Sequence, residues 1–318
     1  EIVRGDWSSD VCSSDLVRGQ AEKLRLGENG LRKFAVLTDS ACDIPAEMQK
    51  KYNIDILSFT ITVDCKSYVE RVDFTNEQYY DMLTKCTDIP KTSQITMMRF
   101  EEQFEAYLAA GIEDVLYVSI NSGGSNTHSA ALMARQNFLE AHPGCPMHIT
   151  IVDSHTYSMT YGWFVCEAAK KLAGGADMRT VVEYLEDAFA RMEVALSVFT
   201  LRFIKKSGRI SAAAAFAGEL LGLRPIITMI DGETATAAKV RGDNAVMPAL
   251  VAHVKKRIAP GALYLVGGTD KENCKQLAKL CKKELGHAPE MIFELGAAVA
   301  TNTGPNAVAV VFLGEKRR

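Results

Sequence analysis

The chain has 318 residues, of which 47% are hydrophobic and 24% charged, with a formal net charge of −3 and a sequence pI of about 6.1. This length favours about two domains, and the composition is that of a globular protein with enough apolar residues for two cores. Because binding to phosphate backbones needs clustered Lys and Arg, the charge disfavours a nucleic-acid partner.

Cysteine usage and hydropathy indicate where the protein works. No apolar run reaches the ~20 residues that span a bilayer, and no signal-peptide pattern opens the chain. The eight cysteines form no C-x-x-C pair, so a zinc ribbon or thioredoxin motif is not indicated. Cys274 and Cys281 are spaced to share one helix face as buried thiols. We therefore expect a cytoplasmic protein without an integral membrane segment.

The first 33 residues differ from the rest of the chain. The tripeptide Ser-Ser-Asp occurs at 8–10 and again at 13–15, without a helical or strand period. A translated cloning adapter and a natural disordered tail both explain such a segment. We expect residues 1–33 to be a non-native or disordered leader that takes no part in the fold.

Residues 34–174 alternate strand, polar turn and helix, which predicts an α/β lobe with a parallel sheet. The strands at 115–120 and 148–152 are nearly continuous apolar runs, typical of strands covered on both faces. The other predicted elements are a strand at 34–37, a helix at 46–52 opened by Pro45, a strand pair within 54–63, and helices at 76–85 and 128–141.

Residues 175–318 read as an α+β lobe, because helices and strands no longer alternate regularly. Asp231-Gly232 is a hairpin signal between two of its strands. The predicted elements are helices at 178–193 and 211–222, the second Ala-rich, and strands at 194–200, 225–230, 234–240, 263–266 and 308–312.

Three strands of the first lobe end in turns rich in hydroxyl groups: Asp39-Ser40, 121–127 and Asp153-Ser154. The carboxyl ends of parallel strands share one edge, where ligands of open α/β folds bind. The 121–127 loop also opens a helix, so its backbone N–H groups and the hydroxyls of Ser122 and Ser125 favour an anion. A plain N-cap with a flexible turn is the alternative.

Two further polar segments are weaker candidates. Pro90–Gln94 contains a Thr-Ser pair, which in most sequences is only a helix cap. Arg209 lies between a Ser-Gly turn and an apolar helix; it is either an ordinary surface Arg or is drawn inward, where it would need an anion.

The sequence does not match the common motifs of enzyme active sites. The nucleophile-elbow pattern Gly-x-Ser-x-Gly is broken, since Thr127 stands where the second Gly belongs after Gly123 and Ser125. There is no dinucleotide or phosphate-loop motif, and no His or carboxylate cluster has metal spacing. His155 lies near the predicted crevice, where a structural role is the simpler interpretation.

The sequence resembles the DegV family of lipid-binding proteins from about Phe34 to Gly314. Each motif is weak alone, but six occur in the family's order. They are Thr38–Pro45, Pro90–Gln94, Ser122–Thr127, Val152–Ser154, Thr200–Ser211 and Thr301–Pro305.

This resemblance implies a two-lobed fold that holds a long-chain fatty acid in a tunnel between the lobes, with no other cofactor and no metal. The carboxylate would be held by Thr92 and Ser125 with nearby backbone amides, and Arg209 would be its indirect partner. We include Ser122, Gly124 and Asn126 of the same loop in the predicted ligand-binding set.

The resemblance also implies a partner, because some family members present the fatty acid to an ATP-dependent kinase that makes an acyl-phosphate. The chain would then be a non-catalytic binding subunit. Two departures weaken the kinase link: Asn126 replaces the family's glycine, and Asn302 replaces its closing histidine. Arg241 stands where the family keeps a basic residue, either to dock a partner or simply solvated.

A buried acyl tail would dominate affinity, since ~15 methylenes at ~0.8 kcal/mol each give about 12 kcal/mol before association costs. Two alternatives remain at this level: a hydrolase or acyl-transfer enzyme using Ser125, and a small-anion-binding regulator. Candidate tail contacts are Phe164, Phe199, Ile204, Phe216 and Leu220, although plain core packing is the simpler interpretation of each.

Overall fold

A computed structural model describes residues 33–210 and 222–316. Almost all of the predicted leader and of the Ala-rich helix at 211–222 therefore lie outside the described residues. Phe216 and Leu220, two predicted tail contacts, lie outside them as well.

In the first half, the elements are β1 (Phe34–Asp39), α1 (Ala46–Lys51), β2 (Ile54–Leu57), β3 (Thr60–Val63), β4 (Lys66–Val69), α2 (Asn76–Lys85), β5 (Lys91–Ser93), α3 (Met97–Ala109), β6 (Asp114–Ser119), α4 (Thr127–Ala141), β7 (His148–Asp153) and α5 (Met159–Ala173). In the second half they are α6 (Met178–Phe189), β8 (Met192–Val198), α7 (Arg202–Ser207), β9 (Leu223–Ile230), β10 (Glu233–Arg241), α8 (Val246–Arg257), β11 (Tyr264–Gly268), α9 (Lys271–Leu285), β12 (Met291–Glu294), α10 (Ala297–Thr303) and β13 (Ala307–Leu313).

The first sheet is parallel, as predicted, with strand order β2-β1-β6-β7. Every residue of β6 is buried, which explains its continuous apolar run. Helices α3 and α4 pack on each other, whereas α5 contacts β1 on one side and β8 and β13 on the other. Helix α5 therefore lies between the first sheet and the sheet of the second half.

Both strands predicted within 54–63 are present, but they do not pair with each other. Strand β2 joins the parallel sheet beside β1, while β3 pairs antiparallel with β4 and β5 in a separate three-stranded sheet. The chain changes sheet at Phe59, whose N–H donates to Ser40 Oγ at 2.9 Å. β-branched residues predict strands here but do not select their partners.

The second sheet has six strands in the order β10-β9-β8-β13-β11-β12, antiparallel except for β11 beside β12. Its two faces alternate along each strand: Ala195 packs against α8 and α9, while Val194 and Leu196 face the opposite way. The predicted α/β class, with a parallel sheet followed by a mixed sheet, is confirmed.

Two details of the second half bear on the predictions. Asp231 and Gly232 both have positive φ (51° and 77°), as a tight type I′ hairpin requires, so the Asp-Gly signal is confirmed. The helix predicted to end at 193 ends at Phe189, because strand β8 begins at Met192.

Apolar contacts are continuous between the two halves, since one core cluster contains residues of both the parallel and the mixed sheet. The division of lobes at residue 174 stays a prediction. Five of the seven described cysteines are buried, Cys274 and Cys281 among them, whereas Cys65 is exposed and Cys145 is half-buried. None of the helices in the described ranges is long and apolar enough to cross a membrane.

Candidate functional site

A cavity of about 450 Å³ lies between the carboxyl edge of the parallel sheet and the inner face of the mixed sheet. From the first half it is lined by Phe59, Thr92, Gln94, Ile120, Ser122, Gly123, Gly124, Ser125, Asn126, Tyr157, Ser158 and Thr160. From the second half it is lined by Val194, Leu196, Arg209, Ile210, Met229, Thr234, Phe293, Leu295, Ala298, Val299, Asn302, Thr303, Ala307, Val308, Ala309 and Val311.

All six residues predicted to bind ligand line this cavity. The buried hydroxyl of Thr127 joins the segment just after β5, which carries Thr92, to Ser125 in the 121–126 loop. Its Oγ1 accepts from Ile95 N at 3.3 Å and forms a hydrogen bond with Ser125 Oγ at 2.9 Å. Two segments that are far apart in sequence are thus joined at one wall of the cavity.

The 121–126 loop is built on Asn121, which the sequence analysis did not single out. Asn121 Oδ1 accepts from Gly123 N at 3.1 Å, and its carbonyl accepts from Gly124 N at 3.1 Å. Its Nδ2 donates to Tyr157 Oη at 3.1 Å and to Gly232 O, in the β9–β10 hairpin, at 3.4 Å. The signal in the sequence was its position as the first polar residue after a buried strand.

These contacts limit the expected role of the loop's backbone. The N–H of Ser122 donates to Asp153 at 3.2 Å, so the N–H groups of 122–124 are all used inside the protein. Donors toward the cavity would then be the N–H groups of Ser125 and Asn126 and the side-chain hydroxyls. The polar strand ends lie at the cavity, but many of their polar groups bind within the protein.

Positions 124 and 126 of the loop differ in whether they can accommodate a side chain. A Cβ on Gly124 would stand 1.9 Å from Tyr157 Oη, so only glycine fits there without moving the tyrosine. Asn126 has φ −73° and ψ 3°, a conformation open to any residue, and its side chain makes no capping hydrogen bond. Replacing the family's glycine by Asn126 therefore causes no backbone strain and leaves an amide at the cavity wall.

Arg209 reaches the loop from the second half. Its Nη1 donates to Ser207 O at 2.8 Å, and its Nε lies 3.5 Å from Gly124 O. The residue is exposed while lining the cavity. This placement agrees with an Arg that acts through the loop backbone.

Asp39 fixes the start of the loop from the end of β1. It is fully buried, and its carboxylate accepts from Tyr161 Oη at 2.6 Å, Ile120 N at 2.8 Å and Tyr117 Oη at 3.2 Å. Burial raises the pKa of Asp39 to about 6, although the three hydrogen bonds to its charged form oppose that shift. This carboxyl supports the site and does not line the cavity.

The histidines near the loop do not form a catalytic pair with Ser125. His128 Nδ1 bonds to Ser119 Oγ at 2.8 Å, and burial lowers the pKa of His128. His155 is exposed, with Nδ1 3.4 Å from Asp153 Oδ2, and does not line the cavity. Within residues 33–210 and 222–316, no group of three or more His, Cys, Asp or Glu is placed to hold a metal ion.

Within the described residues, the candidate tail contacts follow the core-packing alternative and do not line the cavity. Phe164 packs against Phe189 and Tyr184 in the core, Phe199 packs with the cluster on the outer face of the mixed sheet, and Ile204 belongs to the main core. The apolar lining comes mainly from alternating strand residues instead. They are Val194 and Leu196 on β8, Met229 on β9, Phe293 on β12, and Ala307, Ala309 and Val311 on β13.

Comparisons with known proteins agree with this architecture. The model of a family described as "uncharacterised protein, DegV family" matches residues 33–315. A DegV domain-containing protein of Clostridium perfringens is 31% identical over 283 residues, covering 88% of this chain and 98% of its own. A structure of a fatty acid binding DegV family protein from Streptococcus agalactiae has 25% identity and TM-score 0.78, covering 89% and 99% of the two chains. A stearic-acid-binding protein from Eubacterium ventriosum shares the fold, with TM-score 0.81 and 23% identity over 89% and 99% of the two chains.

Proposed function

Because the chain belongs to the DegV family, we propose that it binds a long-chain fatty acid in the cavity between its two sheets. The observation that carries this proposal is the division of the lining. Hydroxyl and amide side chains cluster at the 121–126 loop and β5, with further ones before α5 and on α10, and most of the apolar side chains come from the strands of the mixed sheet. A single acid group on a long apolar chain matches both parts, and solved relatives from Streptococcus agalactiae and Thermus thermophilus are described as binding fatty acids.

The head group is assigned to Thr92 and Ser125, whose hydroxyls would donate to the carboxylate. Ser122, Gly124 and Asn126 complete the wall around it, and Arg209 acts indirectly through the carbonyl of Gly124. Hydrogen bonds to a charged group are worth roughly 1.5–3 kcal/mol each. They would therefore set the orientation of the ligand while the tail supplies most of the affinity.

The tail is assigned to the strand residues of the mixed sheet. The cavity of about 450 Å³ is within the roughly 300–1,000 Å³ typical of sites for small molecules. Ala307 and Ala309 have small side chains on adjoining inward positions of β13, which leaves space for methylenes above the sheet.

The direct test is to identify the ligand that the protein carries. Protein purified without added lipid is extracted with organic solvent, and the extract is analysed by mass spectrometry. We expect long-chain fatty acid at close to one molecule per chain. Absence of fatty acid, together with no binding of added stearic acid, would overturn the proposal.

We further propose that the carboxylate is presented to an ATP-dependent kinase. Ser122, Gly123 and Asn126 are exposed, so the polar end of the cavity is open to a partner. The γ-phosphoryl group of ATP would pass to the carboxylate oxygen, giving acyl-phosphate and ADP. With a fatty acid kinase subunit and ATP, hydroxylamine should trap the acyl group as a hydroxamate, and Asn302→His should increase the yield if Asn302 limits transfer.

Assays on the same purified protein test the two alternative functions. A hydrolase using Ser125 would turn over activated esters unaided, yet His128 bonds to Ser119 and not to Ser125. A small-anion regulator would bind phosphate or acetate as tightly as stearic acid, but then the apolar lining would have no ligand to contact. Neither function explains both parts of the cavity.

A further inference from the structure

Two buried carboxyl groups of the first half, Asp43 and Glu70, lie against the start of α10 in the second half, and Glu70 bonds to it directly. Glu70 Oε1 accepts from Ala298 N at 2.7 Å, and Glu70 Oε2 accepts from the hydroxyl of Ser40. Asp43 Oδ2 accepts from the hydroxyl of Ser158. Glu70 thereby ties α10 to the turn after β1, while Asp43 ties that turn to the start of α5; neither residue belongs to the candidate binding set.

The two carboxyl groups are neighbours. A Cβ on Gly296 would stand 2.3 Å from Asp43 Oδ1 and 3.1 Å from Glu70 Oε1, so both oxygens lie beside the same backbone atom. Glu70 is 1% exposed and Asp43 is 7% exposed. Asp43 Oδ1 is buried and makes no well-formed hydrogen bond, and the backbone N–H of Gly296, just before α10, is the donor nearest to this carboxyl.

Two adjacent carboxylates out of contact with water repel each other, so at least one proton is favoured between them. Burial raises the pKa of both Asp43 and Glu70, and their mutual repulsion raises the pKa of Asp43 further. The cation that opposes these shifts is Arg71, which is exposed and donates to Gln49 Oε1 at 3.0 Å. Its guanidinium is therefore directed to the surface.

Helix α10 connects this pair to the ligand cavity. Its residues Ala298, Val299, Asn302 and Thr303 line the cavity. Ser158, the partner of Asp43, lines it as well. Movement at the start of α10 would thus move the wall that the ligand contacts.

We propose that Asp43 and Glu70 are positioning residues that share a proton and together form a clasp on α10, so that loss of the proton loosens this cavity wall and speeds ligand release. The clasp deepens the proposed function and rests on it where ligand release is concerned. No residue of the clasp contacts the predicted head-group hydroxyls of Thr92 and Ser125 in the hydrogen bonds of the described residues.

Other ionisable groups surround the pair and belong to its titration. They are Asp39 at the end of β1, Cys42 in the following turn, Arg71 after β4, Tyr79 and Tyr80 on α2, Glu294 on β12 with its ion-pair partner Lys271, and Cys274 on α9.

The test measures release of cis-parinaric acid, a fluorescent long-chain acid, between pH 5.5 and pH 8.5. We expect the dissociation rate of the wild-type protein to rise about tenfold, the equivalent of one pKa unit of coupling. Glu70→Gln removes one of the two titrating carboxyl groups, so its rate should change less than twofold across this pH range; its absolute rate can differ, because Gln has an oxygen for only one of the two donors, Ala298 N and Ser40 Oγ. Asp55→Asn is the matched control, because Asp55 is a largely buried carboxyl with a raised pKa that bonds Tyr107 away from α10; it should keep the wild-type slope.

Hydrogen exchange distinguishes failure of the clasp from failure of the proposed function, because it needs no ligand. Protection of the 296–303 amides, compared with Glu70→Gln at each pH, should fall as pH rises in the wild type. If cis-parinaric acid does not bind but this fall is seen, the clasp stands and the lipid assignment fails. Equal protection in the two proteins at every pH, or equal slopes of release, would overturn the clasp.

Discussion

The two walls of the cavity are built from opposite kinds of structure. At the carboxyl edge of the parallel sheet, the side chains of Asp39, Asp153 and Asn121 accept from the backbone N–H groups of residues 120, 122 and 123 respectively. On the mixed sheet, the wall is a regular strand face on which every second side chain is apolar. The carboxyl edge can fix the position of a charged group. The strand face can bury a long apolar chain, but it does not distinguish one methylene of that chain from the next.

This difference separates orientation from affinity. The edge offers few hydrogen bonds to a ligand, because most of its backbone donors are already used. The strand face offers apolar area, whose burial gains roughly 25 cal/mol per Å². Substitutions on the strand face should therefore weaken binding most, and substitutions on the edge should change which acid groups are accepted.

Filling the strand face should have the largest effect. Ala309→Phe places a ring where about five methylenes would lie, costing about 4 kcal/mol or about a thousandfold in Kd for stearic acid. Isothermal titration against the delipidated protein measures this. Ala235→Phe is the control, because Ala235 is an exposed strand residue on β10 outside the cavity. Binding by Ala309→Phe within threefold of wild type would place the tail elsewhere.

The second-largest effect is expected in protein stability, from the buried carboxyl of Asp39 that supports the carboxyl edge. Since the folded pKa of Asp39 is about 6 against an ordinary 3.8, the folded state holds its proton more tightly than the unfolded chain. The contribution of Asp39 to the free energy of unfolding should therefore be fully present below about pH 4 and be lost, by up to about 3 kcal/mol, as pH rises through about 6. Urea unfolding of the wild type and of Asp39→Asn, near pH 4 and above about pH 6, isolates this contribution. If the free energy of unfolding changes with pH by the same amount in both proteins, the prediction is contradicted.

Removing one head-group hydroxyl should weaken binding by a smaller amount. Thr92→Val and Ser125→Ala should each cost roughly 1.5–3 kcal/mol, a 10- to 100-fold loss for stearic acid. Ser93→Ala is the control, since Ser93 is exposed and its side chain points to the opposite face of β5. For the methyl ester of stearic acid, the wild type and the two variants should have similar Kd values. If the variants lose as much affinity for the ester as for the acid, their hydroxyls do not contact the carboxylate.

The smallest effect is expected at Arg209. Arg209→Gln removes an exposed charge that acts through Gly124 O, so Kd should rise no more than about fivefold and less at high salt. Binding titrations at low and high salt measure both the rise in Kd and its dependence on salt. A loss greater than that of Thr92→Val would make Arg209 a direct partner of the carboxylate.

The sequence predicted elements best where local chemistry is decisive. Helix α2 has the bounds expected for it, because Thr75 and Gln78 form a capping box at its start, and the Asp231-Gly232 turn follows from the positive φ that it requires. The strand pair within 54–63 failed because strand partners are chosen by the whole sheet.

The candidate site was predictable in its polar part alone. Thr92 and Ser125 lie in recognisable motifs, and both line the cavity. The tail contacts were not predictable, since Phe164 and Val194 are equally buried and apolar and differ only in whether a void or another side chain lies beyond them. That distinction depends on packing between two sheets, which no local pattern encodes.

A crystal structure of the protein with stearic acid tests the central claim most directly. The proposed division predicts the carboxylate within hydrogen-bond distance of Thr92 Oγ1 and Ser125 Oγ, and the methylenes over Ala309 and Leu196 on the mixed sheet. A carboxylate bound away from both hydroxyls, or a tail that leaves the strand face empty, would contradict it.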